Sequence, residues 1–510
     1  MSILYNDKCT GALLAAAIGD ALGWPFETRA GNKCKKPVAN GQFQTWTRQS
    51  GGRFWSHTET IERGEYSDDT QLLLAVARSL QYGDKWNQYF VRQELPFWLS
   101  YERGGGNAIK TAARFWERHG CPWSETNDSK DVIAYFNAGA NGVAMRILPH
   151  VIYGLADDDV DSLMSVVIRN GMYTHGHPRA LLGATCYAYA LYIAGRKTDS
   201  LEYGELVDAV LQGQRYWGKF HNVLPEWIEI GSKSLRSDYM FLWEDTARQI
   251  CENLRRMQTA LQSGLLDNSE EFLKSIGCFS PATNGAGDVS ALTAIYLASK
   301  YAANPKQGIM VAAYLKNSDT DTNASMTGAL LGMIQGVDWI PYEWQKVQDN
   351  EYILELSNKL LQHREDSIAY TNSQQNNIQV PIGSIFPIEQ PKKCRGSNYT
   401  VTIQKYKTAW GQTLYIKNFD KNKNKQEVEQ LSFDFKELQS IESGHTQKAI
   451  NNDVLLILQE LLYIDKKMSL PKLVKILSLI LSTDLLDSEI AAQTKTKEKT
   501  VTKIRENCHK

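Results

Sequence analysis

Two stretches far apart in the sequence carry the 3.6-residue apolar period of a helix, yet they are lined with side chains too small to fill a core. They are Gly11, Ala15, Ala16, Ala17 and Gly19 within 11–22, and Ala324, Ser325, Gly328, Ala329 and Gly332 within 323–334. Glycine inside a helix costs about 1 kcal/mol relative to alanine, so its repeated use needs an offsetting gain. Close approach of two backbones provides one. If these helices cross near the centre of a bundle, the acidic residues at their ends are brought into one place.

Further helical periods run through 71–80, 178–194, 245–261, 289–301 and 306–315, and long period-2 runs are absent from residues 1–365. Glycines and prolines punctuate the gaps, so the first 365 residues are expected to form an all-α globule with its functional groups on the connecting loops. With 510 residues, 43% apolar, 22% charged and only 14 Pro, the chain exceeds a single small module and can bury a large core. Wholesale disorder is excluded on the same grounds.

The formal charge of −1 argues against a chain-wide polyanion binder but hides an asymmetry. Residues 391–510 carry 21 Lys+Arg and 14 Asp+Glu, whereas residues 1–390 carry 35 and 43, and 12 of the 13 Trp lie at or before Trp344. A boundary between 365 and 395 follows, with the polar stretch 370–377 and Pro381, Pro387 and Pro391 reading as a linker over 366–395. Beyond it, 399–404, 413–417 and 428–435 alternate like strands, which predicts a small β-rich module over 396–445. A helical module over 446–510 is expected from 453–464, 470–481, 486–493 and 500–506.

The last two of these helices faintly resemble a helix-turn-helix, with Lys495, Lys497, Lys499, Lys503 and Arg505 available for phosphates. The turn glycine is missing, and Glu489, Glu498 and Glu506 interrupt the basic face. Nucleic-acid contact through this module therefore stands beside a plainer reading as a solvated helix pair or dimerisation element.

The eight Cys form no CxxC pair and no tight Cys/His spacing, so neither a zinc site nor a disulfide framework is indicated, and a reducing cytoplasm is expected. The apolar run 13–18 follows Asp7 and Lys8 and ends at Asp20, which reads as a buried helix and not a signal peptide. No membrane span is expected, because no apolar run reaches the necessary ~18 residues.

The acids invite chemistry. Ser67-Asp68-Asp69-Thr70 precedes the apolar stretch 71–80, and Asp319-Thr320-Asp321-Thr322 precedes 323–334. Ser, Thr and Asp are preferred helix caps, and negative charge suits a helix start. One cap needs only one such residue, however, and four clustered carboxylates repel unless a cation offsets them. Asp carboxylates with Ser and Thr hydroxyls suit a hard divalent ion, Mg²⁺, Mn²⁺ or Ca²⁺, with no need of His or Cys. Two carboxylate pairs could hold two ions in the manner of two-metal hydrolases.

Four separated motifs, GALLAAAIGDALGWPFE (11–27), YSDDT (66–70), NGVAMRILP (141–149) and SDTDTNASMTGALLG (318–332), with THGHPRALLGA (174–184) between them, resemble the ADP-ribosylglycohydrolase family. That family includes the dinitrogenase-reductase-activating glycohydrolases, and the resemblance covers about residues 1–350. It implies an all-α fold around two Mg²⁺ or Mn²⁺ ions and hydrolysis of the bond between ADP-ribose and an acceptor on a protein or nucleic acid. The chemistry it implies is attack of metal-activated water on the anomeric carbon of the distal ribose. A non-catalytic ADP-ribose or nucleotide-binding module, and a metal-dependent phosphoester hydrolase, are the alternatives.

Carried onto this sequence, the resemblance makes Ser67, Asp68 and Asp69 ligands of one metal and Asp319, Asp321 and Thr322 ligands of the other, with Asp321 as the bridge. Asp68 or Asp69 would be the general base. Glu27 falls where the family has an acid at the mouth of the site and would act in catalysis as a gate or substrate-positioning group, a plain surface Glu being the alternative, and Asp20 would brace the metal surroundings or a helix end. Gly139, Ala140, Asn141 and Gly142 would cradle a pyrophosphate with backbone N–H groups, and His175 would line the ribose or phosphate site. Ser67 and Ser318 depart from the more usual Thr and Gly, the latter adding a side chain near the metals. Met145 and Arg146 read as structural, and the glycine run 103–107 as either an anion-binding turn or a flexible connection.

Overall fold

The computed structural model describes residues 3–27, 37–52, 55–221, 224–263, 269–369, 385–395, 399–421, 476, 486–494 and 501–502. They fall in two compact units, Met1–Asn422 and Lys423–Lys510. The principal helices of the first are α1 (Ile3–Gly23), α2 (Asp68–Leu80), α3 (Asn107–Glu117), α4 (Pro178–Arg196), α5 (Tyr239–Gln262), α6 (Gly287–Tyr301), α7 (Pro305–Ala313), α8 (Thr320–Gln335) and α9 (Asn350–Ala369). Every helical period expected in residues 1–365 lies in one of them, give or take two residues at an end.

Helices α1, α4, α6 and α8 form the centre and are buried along almost their whole length. Helices α1 and α8 cross with their backbones in contact, as their small residues predict. A Cβ placed on Gly19 would stand 2.1 Å from the Ala324 carbonyl oxygen, and one on Gly332 would stand 2.3 Å from that of Gly11. The crossing sets the ends of both helices side by side. The Thr320 hydroxyl, in the first turn of α8, donates to the Gly23 carbonyl at the end of α1 at 2.9 Å. Contrary to the sequence expectation, α1 is long and apolar enough to cross a membrane, with mean hydropathy 1.2 within Tyr5–Phe26, but 89% of that window is buried inside the protein.

One part of residues 1–365 departs from the all-α expectation. Strands β1 (Trp46–Ser50) and β2 (His57–Ile61) form an antiparallel hairpin, with Trp46 opposite Ile61 and Ser50 opposite His57. Each is five residues long and carries polar residues on both faces, so its alternation is too short to stand out. Beyond residue 365, where a β-rich part is expected over 396–445, stands an antiparallel sheet of β3 (Ile385–Pro387), β4 (Lys392–Arg395), β5 (Tyr399–Thr408) and β6 (Thr413–Lys421). Strands β3 and β4 pair in turn along β5, which also pairs with β6 along its length.

Strands β5 and β6 appear where alternation predicts them, whereas β3 and β4 occupy residues read as linker. Proline is compatible with a short strand at a sheet edge, so Pro387 did not mark a break. The sheet belongs to the same compact unit as the helices.

In the second unit, helix α10 (Asp487–Thr494) matches the helix expected at 486–493. The strand expected at 428–435, the helix at 453–464, all of 470–481 except Ile476, and Lys495, Lys497, Lys499, Lys503 and Arg505 lie outside the described residues.

Candidate metal centre and active-site cavity

Asp20, fully buried on α1, accepts the Ser67 N–H at 3.0 Å, the Thr70 N–H at 3.0 Å and the Thr70 hydroxyl at 2.6 Å. It therefore braces the start of α2 from the neighbouring helix, the role its motif implies. Ser67 is the side-chain cap of α2, accepting the Asp69 N–H at 3.2 Å. With Asp20 and Ser67 satisfying that helix start, Asp68 and Asp69 are not needed as caps, and both line the cavity in front of it. Ser67 is fully buried, and its hydroxyl lies against Asp69.

Asp319 sits at the cap position of α8 but makes no side-chain cap bond. Its Oδ2 instead accepts from Asn141 Nδ2 at 2.9 Å. Carboxylate oxygens of Glu27, Asp319 and Asp321 lie within 4.8 Å of one another, a spacing that suits a shared cation. Asp69 and Asp319 are near enough for each charge to bear on the acids of the other helix start, which brings the two acidic helix starts into one cluster. Asp68, Asp69, Asp319, Asp321, Thr322 and Glu27 thus share one cavity of about 550 Å³. Glu27, expected at its mouth, is part of the acidic cluster itself.

Burial raises the proton affinity of Asp68, Asp69 and Asp321 well above the usual carboxylate range. Neighbouring acids add to it: Glu102, Asp20 and Glu27 around Asp68, Asp20, Asp68 and Asp319 around Asp69, and Glu27, Asp319 and Asp69 around Asp321. The Asp69 Oδ1 atom is buried without a hydrogen-bond partner. Leaving a buried acceptor unpaired costs about 1–3 kcal/mol, and a hard cation satisfies an oxygen-only set of this kind. The residues present fit divalent metal. Protons compete with the cation for these carboxylates, so Mn²⁺ affinity is expected to rise between about pH 5 and about pH 8. Isothermal titration at the two pH values checks the sign; an affinity independent of pH would place the ion elsewhere.

The loop 139–142 forms one wall. An isolated antiparallel bridge joins Ala140 to Ala286, and the Asn141 N–H donates to the Gly285 carbonyl at 3.0 Å. That N–H is therefore spent on the fold and not offered to a phosphate, while the Asn141 side chain reaches Asp319 and Ser290 Oγ. Behind the loop, Arg146 is fully buried and donates to the Gly142 carbonyl, the Asn170 side chain and carbonyl, and the Thr174 hydroxyl, all at 2.8–2.9 Å. Burial pushes its guanidinium down to about 9. Arg146 holds the loop against the 174–175 turn, the structural role read for it.

His175 lines the cavity, as expected, with Nδ1 2.8 Å from the Thr174 hydroxyl. Burial, then Arg146, brings its imidazole down to about 3, so it is neutral. Ser318 turns away from the acids: its hydroxyl donates to the Leu315 carbonyl and accepts from Asn323, and it does not line the cavity.

The segment 281–286, whose run PATNGA carries a turn signal, and Arg179, paired with Asp288 at 2.9 Å, belong to the wall and were not recognised in the sequence; the glycine turn at Gly104 and Gly106, which the sequence leaves open between an anion-binding turn and a flexible connection, belongs to it too. Gly104 has φ +107°, and a Cβ there would stand 2.8 Å from Asp68 Oδ1 and 3.7 Å from Arg48 Nη1. The run 103–107 is thus a fitted wall and not a loose connection. Gly104→Ala is expected to lower both Mn²⁺ affinity and turnover about tenfold, on the scale of a disturbed metal surrounding. Titration of the variant at constant pH tests this, and wild-type affinity would refute it.

The sequence profile of the family described as ADP-ribosylglycohydrolase matches residues 1–369. The chain is similar to the ADP-ribosyl-[dinitrogen reductase] glycohydrolase of Rhodospirillum rubrum, 29% identical over 185 residues, which cover 36% of this chain and 55% of that protein. It is 24% identical over 365 residues to ADP-ribosylarginine hydrolase Tri1 of Pseudomonas putida (strain GB-1), covering 69% of this chain and 78% of that one. Similarity to ADP-ribosylhydrolase ARH3 of Danio rerio is 22% over 371 residues, covering 67% and 86%. The match to the first of these spans little more than half of that relative's length. Since the profile covers the helical body that carries both acidic helix starts and the cavity between them, the chain belongs to the ADP-ribosylglycohydrolase family of hydrolases.

Proposed function

We propose that this protein removes ADP-ribose from modified protein side chains, with two Mg²⁺ or Mn²⁺ ions held by Asp68 and Asp69 on one side and Asp319, Asp321 and Thr322 on the other. The observation that carries this reading is the convergence of two acidic helix starts and Glu27 in a single cavity of about 550 Å³. Divalent ions there supply charge stabilisation and orient the ribose hydroxyls.

The chain's own residues do the rest. Asp68 or Asp69 takes a proton from the attacking water; the water oxygen bonds the anomeric carbon as the bond to the acceptor breaks, and the proton passes from the Asp to the departing acceptor. Neutral His175 and the 139–142 loop shape the ribose and phosphate side, and Arg179, paired with Asp288, stands on the same cavity wall. Asn141 holds Asp319 in place through its side-chain amide.

Arginine is the acceptor to test first, because a relative covering two thirds of this chain is named an ADP-ribosylarginine hydrolase. Arginine-linked and serine-linked ADP-ribosyl proteins, incubated with the full chain and Mg²⁺, are expected to give free ADP-ribose by chromatography, the arginine linkage faster. Products of AMP and ribose phosphate would replace this reading with phosphoester cleavage.

A further inference from the structure

The sheet β3–β6 lies wholly outside the span matched by the family profile, 1–369, yet side chains of β6 reach into the surroundings of the cavity. Alternate residues of a strand share a face, and on β6 that face carries Thr413, Tyr415, Lys417 and Phe419. Thr413 bonds Asp349 through both its N–H and its hydroxyl. The Tyr415 hydroxyl donates to Glu65 Oε1. Lys417 Nζ donates to Glu59 Oε2 at 2.9 Å, and Phe419 packs on Trp55.

Glu59 and Glu65 use their other oxygens for one partner, Arg103. Arg103 Nε lies 3.0 Å from Glu59 Oε1 and Nη1 lies 2.9 Å from Glu65 Oε2. The Tyr415 ring lies 3.8 Å beneath the same guanidinium. All three charged side chains are buried. Burial alone would raise the Glu59 carboxyl, but Lys417, Arg103 and Arg48 together hold it well below the usual range. Arg103 is followed directly by Gly104, whose missing Cβ makes room for Asp68 Oδ1. Two acids bridge Arg103 to the sheet, and Arg103 anchors the turn that bears on a metal-binding acid.

We propose that Lys417 and Tyr415 are positioning residues for the metal centre, holding the Arg103–Gly104 turn against Asp68 through Glu59 and Glu65. The C-terminal sheet is on this account part of the working site and not an appended module. The inference rests on the metal-dependent reading above for what Asp68 does.

The test uses the full chain with Lys417→Met, Lys417→Arg and Tyr415→Phe, and reads Mn²⁺ dissociation constants by titration, kcat and KM separately, and thermal midpoints. Lys417→Met is expected to weaken Mn²⁺ binding about tenfold and lower kcat similarly with KM little changed, the scale seen when partners of metal ligands are removed. Lys417→Arg restores most of the loss, and Tyr415→Phe shifts both readings the same way by less. Should Lys417→Met not fold, because it leaves Glu59 short of a partner, Tyr415→Phe decides. Folded Lys417→Met and Tyr415→Phe proteins with wild-type Mn²⁺ affinity would overturn the proposal. If the wild type released no ADP-ribose, the proposed function would fall, while the Mn²⁺ affinities would still decide the positioning role.

Discussion

Asp321→Asn is expected to abolish ADP-ribose release, by about 10³-fold or more, while the metal-free variant melts at a higher temperature than the wild type. The two effects share one cause. Asp321 is buried beside Glu27, Asp319 and Asp69, and its carboxyl is pushed well up by burial first and by those three charges next. Without a cation the cluster works against the fold, so an amide of the same shape relieves repulsion. With a cation the order reverses, since the amide is a neutral and weaker ligand. Adding Mn²⁺ should therefore raise the wild-type melting temperature more than that of the variant, by the linkage between ligand binding and stability. Calorimetric melting of both proteins with and without Mn²⁺, beside a release assay, checks every part. A variant less stable than the wild type in chelator would show that Asp321 serves the fold instead.

The second large effect concerns the helix crossing. Gly19→Leu is expected to cost about 3 kcal/mol or more of stability, the upper range for overfilling a packed interior. The obstruction is main chain: a Cβ at Gly19 would meet the Ala324 carbonyl oxygen at 2.1 Å and its carbon at 2.4 Å. No rotamer change can relieve that contact, so α8 must move as a body. Asp321 lies one turn away on α8, and Mn²⁺ affinity should fall together with the melting temperature. Gly19→Ala should be milder but clearly destabilising. Gly120→Ala, where an added Cβ would meet nothing nearer than 3.5 Å, is the control expected to melt like the wild type. Equal melting temperatures for Gly19→Ala and Gly120→Ala would contradict the account of the crossing.

The parts of this protein that could be read in advance are those encoded locally. Gly11, Gly19, Gly328 and Gly332 announced a backbone crossing because glycine is costly inside a helix. The runs 67–70 and 319–322 announced charged helix starts because they hold more carboxylates than capping needs. The parts that stayed hidden depend on distant partners. Nothing near Lys417 indicates that it pairs with Glu59, 358 residues earlier, or that Tyr415 bonds Glu65, 350 residues earlier. The three glycines 104–106 look the same in sequence whether they form a loose joint or a turn fitted against Asp68. Ser67 illustrates the reverse case: its residue type suits a metal ligand and a helix cap equally, and the structure places its hydroxyl on the Asp69 N–H.

Release of free ADP-ribose from arginine-ADP-ribosylated protein by the wild-type chain, measured before chelation, after it, and after Mn²⁺ or Mg²⁺ is returned, tests the metal-dependent hydrolase most directly. The expected result is release that stops with the chelator and resumes with the ion. Release undiminished by chelation, or binding of ADP-ribose with no release under any of the three conditions, would contradict it.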